Sequence, residues 1–139
     1  ARRLVEGSGL NDRVEFFSGL TESELAEQYR DCDVFALPTG EAPGGQVEGF
    51  GLVFTEAQAY GKPVIAGRSG GTVDAVLHTE PGLLVDPNNE SELVDAVVRV
   101  LTDRELAQRL GENGRRRIET ELNWTRFTGR LVEILENLA

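Results

Sequence analysis

The chain has 139 residues, 40% of them apolar, and a formal net charge of −10. That length supports one domain with one substantial core and not comfortably two. The acidic balance argues against nucleic acid or an anionic lipid surface as a direct partner, because both require clustered lysine and arginine. No apolar run is long enough to cross a bilayer, and the first residues do not read as a secretory leader. Cys32 is the only cysteine and His78 the only histidine. An internal disulfide and a structural zinc site are therefore excluded, and a reducing, cytoplasmic compartment is expected.

Taken in order, Ala1–Leu10 reads as the tail of a helix closed by Gly7 or Gly9, followed by a turn at Asn11-Asp12. Val14–Phe17 is a β-rich run stopped by Ser18-Gly19 and is expected to be a strand. Thr21 with Glu24 three residues on is a capping box, opening a helix whose face carries Leu25, Tyr29 and Cys32, the last as a small core residue. Val34–Leu37, ended by Pro38, reads as a strand buried on both faces. Thr39–Val47 holds three glycines and a proline and is a long loop. A helix over roughly Leu52–Tyr60 follows, stopped by Gly61 and Pro63.

Val64–Ala66 is a second buried strand, Gly67–Gly71 a second glycine turn, and a short helix runs through Val73, Val76 and Leu77. Gly82–Val85 is a further strand ended by Asp86-Pro87. Asn88 or Asn89 caps a helix with Leu93, Ala96, Val97, Val100 and Leu101 on its apolar face. Asp103 caps the next, carrying Leu106, Leu110, Gly114 and Ile118, on which Arg115–Arg117 read as a solvated face. Trp124 opens the last helix as its packing anchor, with Phe127, Leu131, Ile134, Leu135 and Leu138 on one side. His78 reads as a surface residue; Arg68 could touch a phosphate from its crevice loop or lie on the surface. Strands alternating with helices predict an α/β domain: a Rossmann-like parallel sheet flanked by helices, joined by right-handed crossovers.

In such sheets ligands bind beyond the carboxyl ends of the strands, and the loop there richest in glycine leads into Glu48–Gly61. Gly49 and Gly51 let the backbone turn sharply and approach a ligand closely. The helix that follows offers unpaired N–H groups at its first turn, so an anion, most simply a phosphate, is expected at the amides of Gly51, Leu52 and Val53. Glu56, about one turn further in, can accept hydrogen bonds from vicinal hydroxyls, and Glu48 stands before the glycine turn.

These residues resemble a known family. Glu48-Gly-Phe-Gly-Leu-Val-Phe-Thr-Glu56 is similar to the E-x7-E signature of retaining glycosyltransferases of the GT-B fold, the family 4 group. Four further stretches resemble that family's motifs in the right order: Asp33-Val-Phe-Ala-Leu-Pro38, Glu56-Ala-Gln-Ala-Tyr-Gly-Lys-Pro-Val64, Gly70-Gly-Thr-Val-Asp74 (with Asp for the usual Glu) and Gly82-Leu-Leu-Val-Asp-Pro87. The stretch from Trp124 to the C-terminal leucines is similar as well.

The resemblance implies the C-terminal, donor-binding half of a GT-B enzyme. Glu56 would hold the ribose hydroxyls of a UDP- or GDP-linked sugar, and the amides near Leu52 and Val53 its diphosphate. Glu48, as the catalytic-side carboxylate, would meet the donor sugar together with the Gly49-Phe50-Gly51 backbone. Phe17, Ser18 and Gly19 would lie near the base. The nucleotide sugar is a substrate, and the resemblance implies neither metal nor cofactor.

The family's diphosphate-neutralising Arg and Lys, with their strand and helix, would precede Ala1, as would the acceptor-binding domain. Residues 1–139 are thus expected to be a partial domain, inactive by itself, with any membrane contact made through the acceptor domain. The last helix would reach toward that domain and leave apolar surface exposed. The Thr39–Val47 loop resembles that of bacterial mannosyltransferases acting on lipid acceptors, including phosphatidylinositol. Alternatives are a non-catalytic nucleotide-sugar-binding module and related GT-B enzymes such as a nucleotide-sugar epimerase or a trehalose or sucrose synthase.

Overall fold

Three short β-rich runs, each bounded by glycine or proline, pair in parallel to form the centre of the molecule. The computed structural model describes residues 2–138. In chain order it comprises α1 (Arg2–Ser8), a 3₁₀ turn (Asn11–Arg13), α2 (Glu22–Asp31), β1 (Phe35–Leu37), α3 (Leu52–Ala59) and β2 (Val64–Gly67). It continues through α4 (Thr72–Ala75), β3 (Gly82–Val85), α5 (Glu90–Thr102), α6 (Arg104–Thr120) and α7 (Trp124–Glu136). The strand order is β1-β2-β3, with Phe35 opposite Val64 and Ile65 opposite Leu83. Parallel neighbours require crossovers, and α3 and α4 supply them. The expected Rossmann-like α/β architecture is the one observed.

Strand alternation divides the core into two layers. Val64, Ala66 and Leu84 face Tyr29 of α2, Phe54 and Ala57 of α3 and Ala75 of α4. Ile65, Leu83 and Val85 face Ala96 and Val100 of α5 and Leu106 and Leu110 of α6. Helices α2, α5, α6 and α7 start where a short polar side chain accepts a first-turn amide. Thr21 and Glu24 form the expected capping box, with Thr21 N–H donating to Glu24 Oε2 at 2.7 Å. That bond holds the Glu24 carboxyl below its ordinary range. Asn89 caps α5, Asp103 caps α6 and Asn123 caps α7. Asn88, the other candidate for α5, instead donates its amide to Asp86 Oδ1.

Several expectations are corrected. Val14–Phe17 forms no strand, and Phe16 and Phe17 are exposed. β-propensity yields a strand only where a neighbour completes the ladder, and no described strand lies beside this run. β1 is half-buried, with Ala36 exposed, because α5 and α6 pack mainly on β2 and β3. Cys32, which caps the C-terminus of α2, is only half-buried rather than a core residue; burial still pushes its thiol up. Leu101 is exposed at the outer end of α5, and Trp124 is 84% exposed rather than an anchor. No residue of α7 is buried, so the apolar side of that helix faces outward.

Arg117 departs from the solvated-face reading. Arg115 and Arg116 are exposed, but the Arg117 side chain is only 12% exposed. Its guanidinium donates to the Asp74 and Ala75 carbonyls at 2.6 and 2.7 Å. The buried Gln58 donates Nε2 to the same Ala75 carbonyl at 3.0 Å. A cation at a helix C-terminus satisfies orphan carbonyls and the helix dipole together, which lets α4 stop after four residues. Replacing Arg117 by Ala should therefore lower unfolding free energy by about 2 kcal/mol, as expected for charge-assisted hydrogen bonds. Arg115→Ala on the exposed face should change it by less than about 0.5 kcal/mol in the same urea titration.

Candidate functional site

The site is assembled by two glycine turns packed backbone to backbone. The first ends at Gly51, whose φ of +82° is the left-handed conformation that L side chains rarely adopt. A Cβ at Gly51 would run into the Phe54 ring, which is fully buried, so the turn and the core fix each other. The second turn, Ser69–Gly71, follows β2. The Gly71 N–H donates to the Glu48 carbonyl at 2.9 Å. A Cβ on Gly70 would overlap that carbonyl oxygen, one on Gly71 the Gly49 carbonyl, and one on Gly67 the Thr39 carbonyl. The second turn is held by buried Thr72, whose hydroxyl bonds to the Gly67 and Ser69 carbonyls.

On this seat, Glu48 is half-buried and its side chain lies over Gly51. Gly49 is exposed with open space around it. Phe50 is half-buried against the core. Gly51 is buried, Leu52 is exposed and Val53 half-buried at the first turn of α3. That first turn has no acidic residue and, in contrast to the helices capped by Thr21, Asn89, Asp103 and Asn123, no side-chain cap. Its leading amides remain available to an anion.

Glu56 is exposed on α3 and opens into a groove of about 460 Å³ along the seam with α2, walled by Leu25, Ala26, Ala59 and Tyr60. A second groove of about 430 Å³ lies between Phe50, Leu52 and Thr55 on one side and Trp124 and Phe127 of α7 on the other.

Glu48 thus lies at the glycine turn, and Glu56 opens from the same helix onto the α2 seam. Phe17, Ser18 and Gly19 are exposed and form no hydrogen bond to Glu48–Glu56 among the described residues. Arg68 commits its guanidinium to the Leu84 carbonyl at 3.0 Å and lies 3.8 Å from Glu92. His78 is exposed, and its Nδ1 accepts the Leu84 N–H at 3.0 Å, which ties the segment after α4 to β3.

One contact had no signal in the sequence. The Tyr29 phenol, on α2, donates to Glu56 Oε2 at 2.9 Å. The two residues are 27 positions apart, and periodicity marks Tyr29 only as a core residue. Burial, and then the neighbouring carboxylate, push the Tyr29 phenol well above its ordinary range.

Residues 1–117 match the family model described as "Glycosyl transferases group 1". The chain belongs to that family. Among curated relatives, it is 38% identical over 135 residues to the GDP-mannose-dependent alpha-(1-6)-phosphatidylinositol monomannoside mannosyltransferase of Mycobacterium tuberculosis, covering 96% of this chain and 35% of the relative. It is 41% identical over 112 residues to the D-inositol 3-phosphate glycosyltransferase of Corynebacterium glutamicum, covering 81% of this chain and 25% of that one. The chain therefore spans about a third or less of the curated relatives it matches.

Among solved structures, sucrose-phosphate synthase of Thermosynechococcus elongatus superposes with a TM-score of 0.83 and 36% identity, over 99% of this chain and 33% of that protein. HepE of Anabaena, in complex with UDP-glucose, superposes with a TM-score of 0.83 and 25% identity, over 98% of this chain and 35% of that protein. The expected group 1 membership and GT-B-type fold hold. No described helix is long and apolar enough to cross a membrane.

The seat formed by the second glycine turn carries a direct test. Gly71→Ala should destabilise this group 1 domain by about 2–3 kcal/mol, because a Cβ cannot enter a backbone-to-backbone contact without displacing it. Gly49→Ala, with nothing near the added methyl, should unfold within about 0.5 kcal/mol of the parent in urea.

Proposed function

We propose that this chain is the donor-binding domain of a retaining hexosyltransferase, and that the hexose is mannose delivered from GDP-mannose. One observation supports the donor site: the Gly70-Gly71 seat holds Glu48 and Gly49 at the entry to the uncapped first turn of α3, the helix that carries Glu56. Carboxylate, amides and carboxylate in that order suit a sugar, a diphosphate and a ribose in that order. The vicinal ribose hydroxyls donate to Glu56, whose two oxygens offer several acceptor sites. The diphosphate rests on the amides of Leu52 and Val53. The sugar hydroxyls meet Glu48 and the Gly49–Gly51 backbone.

Departure of the nucleoside diphosphate places growing negative charge on its oxygens. The fixed amide dipoles at the start of α3 stabilise that charge without reorganising. Glu48, beyond the phosphate, lies beside the sugar carbon at which the bond breaks, so its negative charge favours the positive character that develops there.

The choice of mannose is supported by the activity named for the M. tuberculosis relative, which shares 38% identity across nearly the whole chain. An acceptor of that kind agrees with the resemblance of the long Thr39–Val47 loop to that of bacterial mannosyltransferases acting on lipid acceptors. Glycosyl transfer to an inositol phosphate, the activity named for the C. glutamicum relative, is the second reading.

Calorimetry with GDP and with UDP tests the donor site. GDP is expected to bind more tightly than UDP. Glu56→Ala should weaken GDP binding about ten- to a hundredfold, the worth of hydrogen bonds to an ionised group. Unchanged affinity in that variant would show that Glu56 does not hold the ribose, and preference for UDP would overturn the assignment to GDP-mannose.

A further inference from the structure

We propose that Tyr29 is a positioning residue for nucleotide recognition: its phenol holds the Glu56 carboxylate in the orientation that receives the ribose diol. The inference rests on the reading of Glu56 given above and names a second residue that the reading requires.

Glu56 is exposed on a short helix, and an exposed glutamate ordinarily samples many rotamers. Here one of its oxygens is pinned. Tyr29 Oη donates to Oε2 at 2.9 Å, leaving Oε1 and the remaining lone pairs of Oε2 without a protein donor among the described residues. A carboxylate fixed in this way keeps acceptor capacity for two adjacent hydroxyls, and its ordering cost is met before the ligand arrives.

Tyr29 is well placed to act as the fixed partner. It is 6% exposed, with its ring 5.7 Å from Phe35 and stacked on Tyr60 at 5.7 Å with planes 14° apart. Its helix is anchored at the N-terminus by the Thr21–Glu24 box. The phenol stays protonated, and so remains a donor, throughout the neutral range, since burial and the neighbouring carboxylate push its ionisation to still higher pH.

The contact is not needed to satisfy Glu56, which water can solvate, and a phenylalanine at position 29 would keep both ring contacts. A purely structural role thus predicts a change in stability and none in ligand discrimination. A positioning role predicts the reverse.

The test compares GDP with 2′-deoxy-GDP by calorimetry on the parent chain, Tyr29→Phe, Glu56→Ala and the double variant, with thermal unfolding of each. Tyr29→Phe is expected to unfold within a few degrees of the parent, to bind GDP about five- to tenfold more weakly, and to bind 2′-deoxy-GDP with little change, so that discrimination for the 2′-hydroxyl collapses. In the Glu56→Ala background, the Tyr29 substitution should cost nothing further.

If Glu56→Ala weakens GDP while Tyr29→Phe retains parent affinity and discrimination, the positioning role is wrong and the donor-site reading stands. If Glu56→Ala is silent, or the parent binds neither nucleotide, the donor-site reading fails and the inference falls with it. Equal losses for both nucleotides in Tyr29→Phe, with a lowered unfolding temperature, would overturn the positioning role in favour of a structural one.

Discussion

The arrangement depends on one close contact: the backbone of the turn after β2 lies directly against the backbone of the loop before α3. Gly71 donates to the Glu48 carbonyl, and neither Gly70 nor Gly71 leaves room for a Cβ. This contact decides where α3 begins. Gly51 turns the chain at φ +82°, Phe54 fills the space a side chain would have taken, and the first amides of α3 are left without a cap. A larger residue at any of these glycines would push the loop off its seat, and Glu48 and the helix terminus would lose their common frame. The cost is conformational, since glycine surrenders more freedom on folding than any other residue. It is offset by the buried sheet and α3 core to which the two turns are tied.

The same economy of space recurs at the other end of α3. Gly61 closes the helix at φ +70°, and its carbonyl lies where a Cβ on Gly111 of α6 would fall. Gly114 of α6 admits Gln58, whose amide reaches the end of α4 beside the Arg117 guanidinium. Helix α3 is therefore gripped at both ends by backbone contacts. Its exposed flank, with Glu56 and Leu52, is left free of structural duties except for the phenol of Tyr29. A rigid helix with one uncommitted face is what a binding site built on secondary structure requires.

The helix caps show how much of the fold was readable locally. Thr21, Asn89 and Asp103 announce their helices because the capping bond joins residues three apart, and no distant partner is needed. The buried strands β2 and β3 were readable because continuous apolar runs between glycine and proline have few other uses. Val14–Phe17 was not, although its composition is as β-rich as theirs. A strand is a pairwise structure, and propensity does not supply a neighbour. Arg117 cannot be told from Arg115 and Arg116 along the sequence for a related reason. Three arginines in a row point in three directions around a helix, and only packing decides which one meets a carbonyl.

For the site, the sequence by itself determined the inventory: two carboxylates, a glycine turn and a helix start in fixed order, with a second glycine turn after the next strand. Spacing along one short segment fixes those, because a turn and the helix it opens are built from consecutive residues. Only the tertiary structure decided that Gly70 and Gly71 seat the first turn, that Arg68 is spent on β3 and Glu92, and that Tyr29 holds Glu56. Each of these joins residues from different elements. Their meeting is set by how the helices pack on the sheet, through burial that acts on whole faces and carries no signature in the local order of residues.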